Sequence, residues 1–541
     1  LLAHTLDYTG YRQYALQVKD LRTGRLLLKH PIERVTSVAW ALDNDTLFFT
    51  QEDPVAKRSY LLGRVSLKTG KVETLYEEKD ELYDIDLSRS LDGRYVFCTS
   101  TSKETSEVRA LRADEPAGSF HVLIPREDDH EYYAEHRDGL FYFVTNRDAE
   151  NFRVVTAPVD TPEVAHWKDF VPHNPAVRVE SVELFAHHAV VSELEGGLPY
   201  LRVIELDTAA QHRIAFPEPA YEAALDINLE FDTSVVRFNY QSPVTPASIF
   251  DYDMATHSRV LVKQQEVLGG FDASHYTCER IFAPASDGTR VPVTLVYRRD
   301  LRKDGPQPLL LYGYGSYGYS LPDTFSSNRI SLLDRGLIYA IAHIRGGGEL
   351  GEPWHDRGKM KVKMNTFTDF IACAEHLVST GYTTPAQLVT EGGSAGGLLI
   401  GAVINLRPDL WHAAILDVPF VDVINTMLDA SLPLTTSEYL EWGNPNEPEE
   451  YRWIRAYSPY DNIGPQAYPH LLVNVSLHDS QVPYWEGAKF AARLRATKTD
   501  SNALLLKTNL DAGHGGASGR YDALKEVAFD YAFLLTALGL E

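Results

Sequence analysis

The chain runs to 541 residues, of which 44% are hydrophobic and 23% charged, with a formal net charge of −24. That length calls for two or more cores, the composition excludes a disordered chain, and the acidic balance argues against nucleic acid as a partner. Cys98, Cys278 and Cys373 are far apart, odd in number and free of Cys-x-x-C spacing, so neither a disulfide framework nor a zinc site is indicated, and no apolar run approaches the roughly 18 residues of a membrane span.

Residues 1–270 read as β throughout, in short alternating runs separated by turn signals. The runs beginning at Leu47, Tyr95, Phe141, Ala189 and Val235 recur about every 46 to 48 residues. A second series keeps the same phase, with strands ending in turns near Asp20–Gly24, Ser66–Gly70, Leu206–Thr208 and Tyr252–Met254. Such a period, with several strands per unit, predicts β-propeller blades; the even spacing disfavours the alternative of a large irregular sandwich. Five units are clear, and Leu1–Gly10 is expected to be the inner strand of another, cut short at its start.

Beyond Ala283–Thr289 the texture changes. Apolar runs such as Pro308–Tyr312, Leu337–Ile341, Ala413–Leu416 and Leu471–Val475 alternate with longer segments of helical pattern. This predicts a mostly parallel sheet covered by helices on both faces. The expected division is a propeller over residues 1–270 and an α/β unit over 271–541.

Within the α/β unit, Gly392-Gly393-Ser394-Ala395-Gly396-Gly397 lies between the strand-like Gln387–Thr390 and the helix-like Leu398–Val403. Small neighbours let a serine sit on a tight strand-to-helix turn, and the following helix points free N–H groups at it. Taken alone, the motif fits a phosphate cradle or an ordinary loop as well as a nucleophile. Reactive groups of such sheets lie just past the strand ends. Asp479 follows Leu471–Ser476 and His514 follows Leu504–Lys507, so Ser394, Asp479 and His514 succeed one another in the order of an α/β-hydrolase. Asp417 and Asp511 are competing acids: Asp417 ends an earlier strand, and Asp511 stands only three residues before His514. His478 reads as a structural neighbour. The N–H of Ala395 is one expected oxyanion donor, and the loop Tyr312–Gly318 is expected to supply the second. Metal and nucleotide motifs are missing from the sequence, and no cofactor is expected.

Taken together, Tyr312-Gly313-Tyr314-Gly315-Ser316-Tyr317-Gly318, Arg345-Gly346-Gly347-Gly348-Glu349, the Ser394 motif, Tyr457-Ser458-Pro459-Tyr460-Asp461-Asn462 and Gly513-His514-Gly515-Gly516 resemble the prolyl oligopeptidase family of serine peptidases, and within it the oligopeptidase B branch. The resemblance spans essentially the whole chain. It implies an α/β-hydrolase capped by a seven-bladed propeller, incomplete here, that admits oligopeptides and excludes folded proteins. It also implies that the hydroxyl of Tyr314 is the second oxyanion donor, and that Glu438 receives an Arg or Lys side chain before the cleaved bond, with Glu441 nearby. An N-terminal segment that relatives carry before the propeller is not part of this sequence.

The sequence departs from that branch in places. Leu440 stands where a second acid is usual, and Leu321-Pro322-Asp323-Thr324 has a single, displaced acid, so a weaker preference for paired basic residues is expected. Gln481 replaces an Arg of prolyl-cleaving relatives. The expectation is a cytoplasmic endopeptidase, a monomer or small homo-oligomer, that cuts oligopeptides after Arg or Lys and binds neither nucleic acid nor membrane. Its rivals are a prolyl or broader oligopeptidase of the same architecture, a propeller binding protein with an inert hydrolase half, and a carboxylesterase.

Overall fold

Each of the five periodic runs forms the second strand of a four-stranded antiparallel sheet in a computed structural model that describes residues 1–8 and 10–540. In the first full sheet the strands Val35–Trp40, Thr46–Glu52, Ser59–Ser66 and Val72–Glu77 pair in chain order, and the other four repeat this meander. The in-phase turns near Ser66–Gly70, Leu206–Thr208 and Tyr252–Met254 join the third strand to the fourth. By the same phase the turn Asp20–Gly24 gives Ala15–Lys19 third place. Its partner Leu2–Leu6 therefore takes second place rather than the innermost one expected for it.

Alternation drives the packing between blades, because successive side chains on one strand face opposite neighbours. Phe48 and Leu62 meet Ile85, Leu87, Val96 and Cys98 of the next sheet, while Phe97 points the other way to meet Phe141 and Phe143. The polar contacts that dock these sheets on the rest of the chain include Arg178–Glu352 at 2.6 Å and Glu104–Lys359 at 2.8 Å.

From Tyr276 the strands form one eight-stranded sheet. In chain order they are β1 Tyr276–Pro284, β2 Arg290–Arg298, β3 Leu309–Gly313, β4 Ile338–Ala342, β5 Leu388–Gly393, β6 Ala413–Asp417, β7 His470–Ser476 and β8 Leu504–Asn509. Their spatial order is β1-β2-β4-β3-β5-β6-β7-β8, with β3 to β8 parallel. Leu309, Leu311, Leu388, Ala414, Leu416, Leu471 and Val473 are fully buried on one face, against the helices Met364–Ser379 and Ala395–Leu406. Burial on both faces explains why these strands read as continuous apolar runs. Among the described residues no helix is long and apolar enough to cross a membrane.

Candidate active site

Ser394 directly follows β5 with φ 58° and ψ −120°, a backbone region that side chains avoid. Three bonds hold it there: its N–H donates to Asp417 O (2.9 Å), and its carbonyl accepts from Leu398 N (3.1 Å) and Phe420 N (3.1 Å). The turn is tight enough that a Cβ at Gly392 would lie 2.4 Å from the carbonyl oxygen of Gly396, and one at Gly397 would lie 2.6 Å from Cα of Pro419. The helix Ala395–Leu406 starts at once, so the N–H of Ala395 has no acceptor within the helix and makes no hydrogen bond among the described residues.

Asp479 sits in the loop after β7. Its Oδ1 accepts from Gln481 N (2.8 Å) and Val482 N (2.9 Å), and its Oδ2 lies 2.7 Å from Nδ1 of His514. A carboxylate only accepts, so Nδ1 carries the proton and Nε2 is left as the basic nitrogen. His514 rides on a turn closed by the N–H of Gly516 donating to Gly513 O (3.1 Å). Ser394 and His514 both line a cavity of about 480 Å³ and have no hydrogen bond between them. Among the described residues neither competing acid is hydrogen-bonded to His514. Asp417 accepts from the side-chain amide of Asn474, which also donates to Asp530, and the N–H of Asp511 is bound to Asn509. Burial, and then the Asp530 charge, raise the Asp417 carboxyl above the ordinary range; burial, and then Asp417, do the same to Glu391.

On its other side Ser394 opens into a second cavity, of about 180 Å³, whose wall includes Tyr314, Ala395, Phe420 and Glu438. Tyr314 follows β3. Burial, and then the nearby Glu438 and Glu441 charges, raise its phenol so that it stays a donor. Its loop is set by close packing: a Cβ at Gly313 would come within 2.6 Å of the Phe370 ring, and Gly315 has φ +72° against Thr366 and Ile344. At the far wall Oε2 of Glu438 accepts from the Tyr317 hydroxyl (3.1 Å) and Trp442 Nε1 (2.8 Å). Oε1 is left without a hydrogen bond among the described residues, and burial raises the carboxyl above its usual value.

One expected acid is elsewhere, and the displaced acid of the Leu321–Thr324 loop is also away from the cavity. Glu441 is not on the cavity wall: it is 1% exposed, with Oε2 2.7 Å from His355 Nε2 and Oε1 accepting from Tyr317 N at 3.0 Å. Burial works to raise its carboxyl, but the bonds from His355 and the Lys363 charge hold it below the ordinary range. It is bonded to the backbone of the Tyr317 loop and does not line the cavity. Asp323 is buried between Arg280 (3.3 Å) and His343 (3.5 Å). Sequence reasoning passed over Tyr317 and Trp442, the partners of Glu438, although both fall inside the stretches it singled out. It also passed over Lys103, which reaches the same cavity from the propeller with nothing in the sequence to mark it.

A strained serine at the tip of β5, a helix N-terminus behind it and an Asp–His pair at the ends of β7 and β8 define a hydrolase of the α/β class. Residues 323–541 match the prolyl oligopeptidase family, and residues 1–265 match the prolyl oligopeptidase N-terminal beta-propeller domain. The chain is 45% identical to dipeptidyl aminopeptidase BI of Pseudoxanthomonas mexicana, covering all of this chain and 75% of the relative. It is 38% identical to Protease 2 of Moraxella lacunata, covering all of this chain and 78% of the relative. Among solved structures, oligopeptidase B of Trypanosoma brucei, a closed form with covalently bound antipain, superposes with a TM-score of 0.94 at 40% identity, covering all of this chain and 77% of that one. The Leishmania major oligopeptidase B gives 0.94 at 38% identity, covering 99% and 77%. The chain belongs to the prolyl oligopeptidase family and is a serine peptidase.

Proposed function

We propose that this peptidase cleaves oligopeptides on the carboxyl side of Arg or Lys, with residues from about 271 onward forming the catalytic unit and residues 1–270 the propeller over it. Ser394 attacks the scissile carbonyl, His514 Nε2 takes its proton and later hands it to the leaving amine, and Asp479 keeps the imidazole in the required tautomer. The transfer needs Nε2 to come within about 3 Å of the serine oxygen, so the His514 turn closes on Ser394 when substrate binds. The N–H of Ala395 and the hydroxyl of Tyr314 receive the oxyanion.

The observation that carries the specificity is Glu438: a half-buried carboxylate in the cavity of Ser394, hydrogen-bonded through one oxygen to neutral donors and free at the other. A guanidinium or ammonium satisfies that oxygen, whereas an uncharged side chain makes no bond to it, so a basic side chain is favoured before the cleaved bond. The test is hydrolysis of peptides differing only in Arg, Lys or Pro before the cleaved bond, by wild type and Glu438→Gln. Cleavage after Arg and Lys is expected to fall by about 10² or more in kcat/KM in the variant. Arg cleavage indifferent to the substitution would sink the assignment. Each peptide should be offered with a free and a blocked N-terminus, because the relative named dipeptidyl aminopeptidase favours a second reading, release of dipeptides from free N-termini. Turnover of the free form alone would select that reading.

A further inference from the structure

Ser102–Thr105 is the turn between the strands Tyr95–Thr101 and Ser106–Arg112 of the second four-stranded sheet. Ser102 builds it: its hydroxyl accepts from Glu104 N (3.3 Å) and Thr105 N (3.1 Å), and its N–H donates to Thr105 O (2.8 Å). Glu104 then pairs with Lys359 of the hydrolase half at 2.8 Å. A turn braced at its base and pinned across the interface offers the residue between, Lys103, to the cavity of Ser394 and Glu438. Its Nζ stands 5.0 Å from the centre of the Tyr317 ring, whose hydroxyl donates to Glu438. The side chain is exposed and is the one cation on that wall among the described residues.

We propose that Lys103 is a resident counter-ion for Glu438 that sets how sharply the enzyme separates basic from uncharged substrate side chains. The proposal rests on reading Glu438 as the acceptor of the substrate's basic group. Only neutral groups hydrogen-bond Glu438, so its charge is poorly compensated while the cavity is empty. An ammonium on a flexible four-carbon stem supplies that compensation without fixing one geometry. A substrate Arg or Lys brings its own charge and repels Lys103, which has another carboxylate, Asp84 on the propeller, within electrostatic reach. Basic substrates therefore compete with Lys103. With an uncharged side chain bound, Lys103 stays and Glu438 keeps a partner.

The test uses the full chain, two peptides that differ only in Arg or norleucine before the cleaved bond, and the variants Lys103→Met and Lys103→Arg. Removing the ammonium while keeping the stem should raise the Arg-to-norleucine ratio of kcat/KM about tenfold, with KM for the Arg peptide falling and norleucine turnover weakening. The Lys103→Arg variant keeps the charge and should stay within about twofold of wild type. A ratio unchanged in Lys103→Met, while Glu438→Gln still abolishes Arg preference, would overturn the counter-ion and leave the pocket standing. A Glu438→Gln enzyme that keeps its Arg preference would overturn both.

Discussion

Tyr314 is the residue at which burial and function bear most directly on one another. Burial, and then the carboxylates of Glu438 and Glu441, keep its hydroxyl protonated, so in the proposed site it is a permanent donor aimed at charge that develops only during reaction. Tyr314→Phe should lower kcat about 10² to 10³-fold with little change in KM, because the N–H of Ala395 remains. A change confined to KM in steady-state assays would show that Tyr314 only binds substrate. At this scale the sequence was legible where local rules suffice. Ser394, Asp479 and His514 each follow an apolar run, and strand ends of a parallel sheet converge on one edge. It was illegible where partners come from distant segments. Glu441 meets His355, Lys363 and the Tyr317 backbone, contacts that spacing along the chain does not reveal. Lys103 reads as one more solvated residue in a polar turn.

Among the elements, the helix Tyr484–Thr497 after the Asp479 loop is tied to the substrate cavity through Glu486. This fully buried carboxylate accepts from Val421 N (2.9 Å), Asp422 N (2.8 Å) and the Thr426 hydroxyl (2.6 Å), at the start of the short helix whose Thr426 and Met427 line the cavity. Burial outweighs those bonds and raises the carboxyl to about 7. The folded state therefore holds a proton that the unfolded state has lost. The stabilisation is full below the ordinary carboxylate value, and it fades as pH rises through about 7. Glu486→Gln imitates the protonated form and should remove this slope. Unfolding free energies from urea titrations at acid and mildly alkaline pH should differ by about 3 kcal/mol less in the variant than in wild type. Equal slopes would mean the carboxyl is ionised throughout. Element existence was easier to foresee than element pairing. The strand runs were visible as apolar stretches, but the order β2-β4-β3-β5 is set by which helix covers which face, and a linear pattern does not encode it.

Across the whole molecule, the blade period was legible because each unit repeats one local pattern, whereas the seam between the halves was not. That seam includes polar contacts, Arg178–Glu352, Glu104–Lys359, and Arg280 donating to the carbonyls of Gly196 (3.3 Å) and Gly197 (3.1 Å), with one small apolar cluster in which Val244 packs with Tyr276, Cys278, Val296 and Leu333. Contacts of this kind resemble a transient interface between proteins more than a shared core, and relative movement of the halves is the expectation for them. The two halves therefore depend on their own cores for stability, and the backbone at Ser394 strains one of those cores. Among the described residues the serine hydroxyl makes no hydrogen bond that its loss would forfeit, while φ of 58° suits glycine. Ser394→Gly should therefore be inactive yet melt higher, by about 1 kcal/mol or more in unfolding free energy, and a calorimetric scan that finds it no more stable would refute this. Selection for activity would then be holding this chain below the stability that its own fold allows, with the proposed nucleophile as the position where heat tolerance and turnover pull apart.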